Sequence, residues 1–315
     1  MKKINFGIVG LGDIAESFAL SFNQSEATLY GCASRTPEKS RAFAEKLAIP
    51  HAYDSYDELL QDPNIDAVYV SVPNLQHFSY CQKALVAGKH VLCEKAITVN
   101  LTELAALIAL AEEKQLVLQE AMTIFNMPLY DKLAKLIANG DFGRLKMIQA
   151  PFGSFKEPIA SNRFFNPDLG GGALLDIGTY AVSFLRKFMT NQPKIIATTM
   201  EPFSTGVDEQ SVTIFQNGPE MGTVNLTFQA KMPKVGIVSF EQAYIQIPDY
   251  PRADHCEIFY NDGTTEIIEV GASSEALNYE VTNFLKVIAG ASNASLDLTQ
   301  DVIALLDEMQ QRWHQ

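Results

Sequence analysis

Short apolar runs alternate with helical stretches through the first third of the chain, and that alternation predicts a parallel sheet built by right-handed crossovers. Strands are expected at 4–9, 28–33, 67–72, 90–93 and 117–120, with 67–72 almost wholly apolar, as strands covered on both faces are. Helices are expected between them at 13–23, 37–47, 56–60, 76–87 and 101–114. Thr36 stands before Pro37 as an N-cap ahead of a first-turn proline, and Gly88 stops the fourth helix.

After residue 121 the pattern changes. A helix over 127–139 leads into a loop-rich stretch with Pro151, Pro158, Pro167 and the run Gly170, Gly171, Gly172, then into a helix from about 173 to 189. From 195 to 270 period-two alternation takes over, clearest where Val224, Leu226 and Phe228 interleave with Thr223, Asn225, Thr227 and Gln229. Asn217 with Gly218, and Asp262 with Gly263, form hairpin signals, so this second sheet reads as antiparallel. Helices at 275–288 and 298–312 close the chain. The expected fold class is α/β: an N-terminal Rossmann doubly wound parallel sheet over 1–121, then a C-terminal α+β domain with a large, mainly antiparallel open sheet over 122–315. Length agrees, since single hydrophobic cores stop growing at about 250–300 residues.

Composition narrows the partners. The 24 basic and 37 acidic residues leave a formal charge of -13, which repels a phosphate backbone, and no basic stripe offsets it. No nucleic-acid partner is expected. The basic opening Met1, Lys2, Lys3 precedes an apolar run that Asp13 and Glu16 interrupt, so no signal peptide is expected. No stretch approaches the roughly 20 apolar residues of a membrane span. Cys32, Cys81, Cys93 and Cys256 show no zinc spacing, and the five histidines show no helical ligand pairing. The expectation is a cytoplasmic protein with buried thiols, no metal and no membrane partner.

Gly10, Gly12 and Ala15 form G-x-G-x-x-A at a strand-to-helix junction, with Asp13 and Ile14 inside the motif. Gly10 suits the tight turn, Gly12 clears the backbone for a pyrophosphate, and Ala15 lets helix and sheet approach. This predicts a dinucleotide site. Where an NAD-specific site carries an acid after the second strand, this chain has Ser34 and Arg35, with Lys39 one turn on. A hydroxyl and a guanidinium suit a 2′-phosphate, so NADP(H) is preferred over a still possible NAD(H).

Two segments carry candidate chemistry. One is Glu94 and Lys95, ending a buried strand at the carboxyl edge where open α/β sheets bind ligands. A lysine there can hold a hydroxyl and stabilise charge on oxygen. The other follows the glycine run: Asp176 and Tyr180, four apart, face one way on a helix, and Gly178 is expected to leave the surface beside them open for a ring or sugar.

Together the glycine turn, the segment from Val91 to Lys95 and the segment from Gly170 to Tyr180 resemble the glucose-fructose oxidoreductase, inositol dehydrogenase and rhizopine catabolism protein family (Gfo/Idh/MocA). The resemblance is closest to its dimeric dihydrodiol dehydrogenase and xylose dehydrogenase branch, and it takes in 66–70 and Pro73, Asn74 through His77. It implies a cofactor set of Gly10, Gly12, Asp13, Ile14, Ser34, Arg35, Lys39, Ser71, Pro73, Asn74, His77, Glu94 and Lys95. It also implies Lys95 as the catalytic lysine, Asp176 as the residue that orients substrate, and Tyr180 as the acid/base. A lysine ammonium beside a phenol stabilises the phenolate, which fits that role. Arg163, before the glycine run, either lies over cofactor or substrate or makes a loop salt bridge.

The chain departs from the family in two places. Ala96 stands where the family has proline after the lysine, so the backbone constraint aiming Lys95 is expected to be weaker. Thr123 and Phe125 follow Glu120 and Ala121 where the dihydrodiol branch has tryptophan and arginine. The expected protein is an NADP(H)-preferring oxidoreductase acting on a sugar, polyol or cyclic diol, with Lys95, Arg163, Asp176 and Tyr180 at the substrate. It is expected to form a homodimer through its C-terminal sheet. The alternative is a non-catalytic NADP-binding sensor or regulatory protein on the same fold.

Overall fold

Six parallel strands organise the first unit in the order β3-β2-β1-β4-β5-β6. They are β1 (Ile4–Val9), β2 (Ala27–Ala33), β3 (His51–Tyr53), β4 (Ala67–Val70), β5 (His90–Glu94) and β6 (Leu118–Ala121). The structure, a computed structural model, describes residues 3–314; Met1 and Lys2 of the basic opening lie outside the described residues. Between the strands run α1 (Asp13–Ser21), α2 (Pro37–Leu47), α3 (Tyr56–Gln61), α4 (His77–Val86) and α5 (Leu101–Lys114). Local chemistry sets their starts. The Ser55 side chain accepts the Glu58 N–H at 3.1 Å ahead of α3, and Asn100 accepts that of Glu103 at 2.8 Å ahead of α5. Thr36 occupies the expected N-cap position of α2, but its side chain makes no capping bond.

The six strands match the pattern except β3, a three-residue edge strand too short and too exposed to register as an apolar run. A larger difference concerns the tail. The helix α9 (Ala276–Ile288), expected in the second domain, belongs mostly to the first: this unit comprises the chain up to Ala121 together with Leu277–Asp297. The reason is packing. Leu277, Val281 and Phe284 bury in one cluster with Phe6 of β1 and Phe18 of α1, each such side chain contributing about 1.5–3 kcal/mol. Polar contacts fix the seat, the Asn278 carboxamide accepting the Asn23 N–H at 2.9 Å.

The second unit, Met122–Ala276 with the chain from Leu298 on, is built on an eight-stranded sheet. Its strands are β7 (Leu145–Gly153), β8 (Lys194–Pro202), β9 (Asp208–Asn217), β10 (Glu220–Thr227), β11 (Val235–Phe240), β12 (Ala243–Pro248), β13 (His255–Tyr260) and β14 (Thr265–Glu269), in the order β14-β13-β12-β11-β7-β10-β9-β8. Both expected hairpins form, β9 with β10 and β13 with β14. The sheet is antiparallel except where β10 runs parallel to β7. That strand sits where a loop was expected because Pro151 lies inside it. Pairing of β7 with β11 ends at Gln149, before Pro151, so the missing N–H falls beyond that ladder.

Two short helices, α6 (Thr123–Asn126) and α7 (Pro128–Ala138), precede the sheet, and α8 (Thr179–Phe188) covers one of its faces. Close approach is possible because strand glycines face the helix. A Cβ on Gly236 would stand 2.2 Å from the Phe184 ring, and one on Gly222 would stand 2.5 Å from Leu185. The chain ends in α10 (Ala294–Trp313). Within this unit Arg186 Nε pairs with Asp301 Oδ2 at 2.6 Å, and the Trp313 indole N–H donates to Thr198 at 2.8 Å.

Candidate active site

At the switch point of the parallel sheet, the carboxyl ends of β1 and β4 lie side by side, Val9 opposite Val70. Gly10 turns the chain there with φ +87°, and a Cβ on it would fall 2.4–2.5 Å from backbone atoms of Ser71 and Val72. The turn therefore needs glycine twice over, for conformation and for space. Gly12 is different: nothing lies within 4 Å of where its Cβ would be, and it heads α1 with no side-chain cap. The first N–H groups of a nine-residue helix thus face open space beside a missing side chain, a donor set suited to a pyrophosphate. Ala15 is fully buried beneath it. The residues present fit a dinucleotide.

Other members of the expected cofactor set sit on the same edge of the sheet, after β2, β4 and β5, but several have other work. The Ser71 hydroxyl donates to the carbonyls of Val9 and Gly10 at 3.0 and 2.9 Å, so it holds the glycine turn. Ser34 gives its one proton to the Thr36 carbonyl at 2.7 Å, leaving no hydroxyl donor for a 2′-phosphate. Arg35 and Lys39 are exposed and make no ion pair among the described residues; Arg41, beside them, pairs with Asp54. Asp13 and Pro73 are exposed, and Ile14 and Asn74 are half-buried. His77 corrects the expectation outright. It is fully buried, and both ring nitrogens are taken up by backbone carbonyls, so it has no polar atom to offer a dinucleotide.

Lys95, half-buried, follows β5 directly, and the peptide joining it to Ala96 is cis with alanine where the family has proline. The turn is not loosely held. Glu94 Oε2 accepts the Lys95 N–H at 3.3 Å, His77 Nδ1 meets the Ala96 carbonyl at 2.8 Å, and Glu120 Oε1 accepts the Ile97 N–H at 3.0 Å. Buried side chains supply the constraint that the missing proline was expected to weaken. Glu94 itself is 8% exposed and accepts the Tyr69 hydroxyl, so it belongs to the support of the lysine. Burial, with Glu94 beside it, pushes the Tyr69 phenol well above its ordinary value and keeps it a donor. Tyr69 and Glu120 were not foreseen, and only their polarity at the ends of apolar strands could have flagged them.

The second unit presents Asp176 and Tyr180. From Gly172 to Leu185 every residue is buried except these two, which are half-exposed. Leu174–Gly178 form a π-helical turn where a regular helix was expected, a widening often found at functional sites; it holds Asp176 and runs into α8, whose first turn holds Tyr180. Gly178 does not open that surface. It is buried, and a Cβ there would stand 2.6 Å from Leu226 on β10, so its role is to let the helix lie close on the sheet. The Tyr180 ring rests 6.2 Å from that of Phe152. Arg163 is exposed and stacks its guanidinium 4.1 Å above the Phe164 ring, with no carboxylate partner among the described residues.

Asp208, at the start of β9, anchors this helix. Its Oδ2 accepts the Leu174 N–H at 2.7 Å, and its Oδ1 fills the space a side chain on Gly172 would need, 2.2 Å away, where φ is +116°. Burial raises the Asp208 carboxyl to about 7, against the lowering pull of backbone N–H groups. The contact spans 34 residues, so no local pattern signals it. All four cysteines are buried and free, no helix is long and apolar enough to cross a membrane, and no acidic, histidine and cysteine cluster able to hold a metal occurs among the described residues.

A parallel sheet with an uncapped helix at its switch point, followed by a unit on an open sheet, defines a dinucleotide-binding protein of two units. Residues 4–122 match the model of the oxidoreductase family with an NAD-binding Rossmann fold, and 130–266 match the GFO/IDH/MocA C-terminal domain. The chain belongs to the GFO/IDH/MocA family and is an NAD(P)-dependent oxidoreductase. It is 34% identical over 280 residues to the trans-1,2-dihydrobenzene-1,2-diol dehydrogenase of Xenopus laevis, covering 87% of this chain and 83% of that protein. It is 37% identical over 205 residues to D-xylose 1-dehydrogenase (NADP(+)) 2 of Haloferax volcanii, covering 64% and 62% of the two chains. A 3-ketoreductase from Actinomadura kijaniata, solved with NADP and TDP-benzene, shares the fold with a TM-score of 0.88 at 21% identity over 98% of both chains.

Proposed function

We propose that the protein moves a hydride between NADP(H) and a carbinol or carbonyl carbon of a sugar, polyol or cyclic diol. The nicotinamide, when bound, accepts or supplies the hydride. In the oxidative direction the substrate hydroxyl gives its proton to the Tyr180 phenolate, the Lys95 ammonium stabilises the charge that develops on oxygen, and Asp176 orients the hydroxyl. The reverse direction returns the proton from Tyr180 to the carbonyl oxygen. The observation that carries this reading is the exposure pattern of 172–185, where an acid and a phenol alone emerge from a segment otherwise packed away. The names of the relatives support the substrate class, a dihydrodiol in one and a pentose in another.

The test is turnover. Purified protein with NADPH or NADP is offered a panel of aldoses, ketoses, inosols, cyclic diols and dicarbonyls while nicotinamide absorbance is followed. Oxidation or reduction of a member of the panel is expected; tight NADPH binding with no turnover on any of them would point to the sensor reading instead.

NADP preference is proposed to rest on Arg35, the exposed cation closing β2, since Ser34 has spent its proton. Arg35→Asp is expected to cut the NADP/NAD ratio of kcat/KM by about 10- to 100-fold, the scale of one charged hydrogen bond lost. An unchanged ratio would show that Arg35 does not read the phosphate. A homodimer through the open sheet is likewise proposed. The face opposite α8 exposes Met147, Val212, Met221 and Tyr244, a broad and nearly uncharged surface. Light scattering should give twice the chain mass, and a monomer would remove the proposal.

A further inference from the structure

His77 meets two backbone carbonyls, that of Ala96 at Nδ1 and that of Val72 at Nε2, both at 2.8 Å. Neither oxygen has a hydrogen to give. A neutral imidazole carries one N–H, so one of these contacts would set a ring lone pair against a carbonyl lone pair. With the side chain fully buried, water cannot relieve the conflict. Only a ring protonated on both nitrogens satisfies both oxygens.

The two carbonyls belong to separate loops with separate tasks. Ala96 follows Lys95 in the turn after β5, and Val72 follows Ser71, whose hydroxyl holds the glycine turn through the Gly10 carbonyl at 2.9 Å. We propose that His77 is a positioning residue for Lys95, a clamp between the lysine turn and the loop after β4 that closes at both ends only when its ring carries two protons. The proposal rests on the reading of Lys95 as the residue that stabilises charge on the substrate oxygen. The charged groups facing this turn are Lys95, Glu94, whose carboxylate accepts the Lys95 N–H, and Glu120, which accepts the Ile97 N–H. Burial first, and the Lys95 ammonium as well, hold the His77 imidazole below its ordinary value although the two carbonyls favour the second proton, so the clamp closes at both ends only on the acid side of the usual histidine range. Raising the pH removes that proton, frees one end and lets the lysine turn shift relative to the glycine loop.

Two conservative variants divide the clamp. His77→Asn keeps an amide donor near the Nδ1 position, toward Ala96, and His77→Gln keeps one near Nε2, toward Val72. Long-range proton–nitrogen spectra of 15N-labelled protein, titrated from pH 8.5 down to the acid limit of the folded state, with the His77 signals identified by their loss in the Asn variant, are expected to show one tautomer at the alkaline end and both ring nitrogens protonated below the ordinary imidazole range. With a substrate found in the panel, both variants are expected to lose about 10- to 100-fold in kcat, the cost of a slightly misplaced catalytic group, with NADPH affinity changed less than threefold. The component of the wild-type kcat profile that falls as pH rises through the His77 titration should be missing in both. A single neutral tautomer at every pH, or variants with the wild-type kcat and pH profile, would overturn the clamp. The spectra are independent of catalysis, so a protein that turns over nothing refutes the enzyme reading while the nitrogen signals still decide the clamp.

Discussion

Tyr180→Phe is expected to lower kcat by about 10²- to 10⁴-fold, the range that a positioned acid/base supplies, while NADPH affinity and thermal stability stay close to wild type. The substitution removes one oxygen and little else. The ring keeps its neighbour Phe152 at 6.2 Å, and α8 keeps the buried side chains around Ala181–Leu185 that hold it to the sheet. The glycine run and Asp208, which fix the start of the helix, are untouched. A fall in kcat and kcat/KM together would mark a group acting in the transition state; a rise in KM alone would mean that the phenol merely binds substrate. Single-turnover absorbance with saturating NADPH separates these outcomes, and full retention of kcat would strip Tyr180 of its role.

The second large effect separates two glycines that look equivalent in the motif. Gly10→Ala is expected to destabilise the first unit by about 3–5 kcal/mol, a left-handed backbone accounting for about 1–2 of that and overlap with Ser71 and Val72 for the rest. Cofactor binding falls with it. Gly12→Ala meets open space and should change stability by no more than about 1 kcal/mol, within the cost of an ordinary N-cap exchange. Its methyl group nevertheless occupies the place a pyrophosphate needs, so NADPH affinity should drop sharply in a stable protein. Calorimetry and NADPH fluorescence titration on the pair measure the contrast. Equal stability losses in both variants would contradict the geometry of the turn.

The sequence was most readable where local pattern and local structure coincide. Apolar runs located five of the six parallel strands, and the turns at Asn217-Gly218 and Asp262-Gly263 located two hairpins of the other sheet. Misreadings arose where distant residues decide. Nothing in the helical period of 276–288 says which core its apolar stripe will cover, and Pro151 hides a strand because proline reads as a breaker unless the end of the neighbouring ladder is known. Lys95 in the first unit, and Asp176 and Tyr180 in the second, each stand at a partly solvent-accessible position. Gly178, Ser34 and His77 were each assigned to ligands, yet their partners are Leu226, Thr36 and two backbone carbonyls. Small and polar residues in a motif serve the scaffold as readily as the substrate, and only three-dimensional contacts distinguish the two.

The first unit is stitched from both halves of the polypeptide, and that bears on how the protein can be made. A chain cut after Ala121 would leave Phe6, Phe18 and Phe22 without Phe284 and its neighbours, baring a greasy patch to water. The same patch waits uncovered on the ribosome until Leu277, Val281 and Phe284 have been made, a window in which chaperones, or faulty association between nascent chains, would find it.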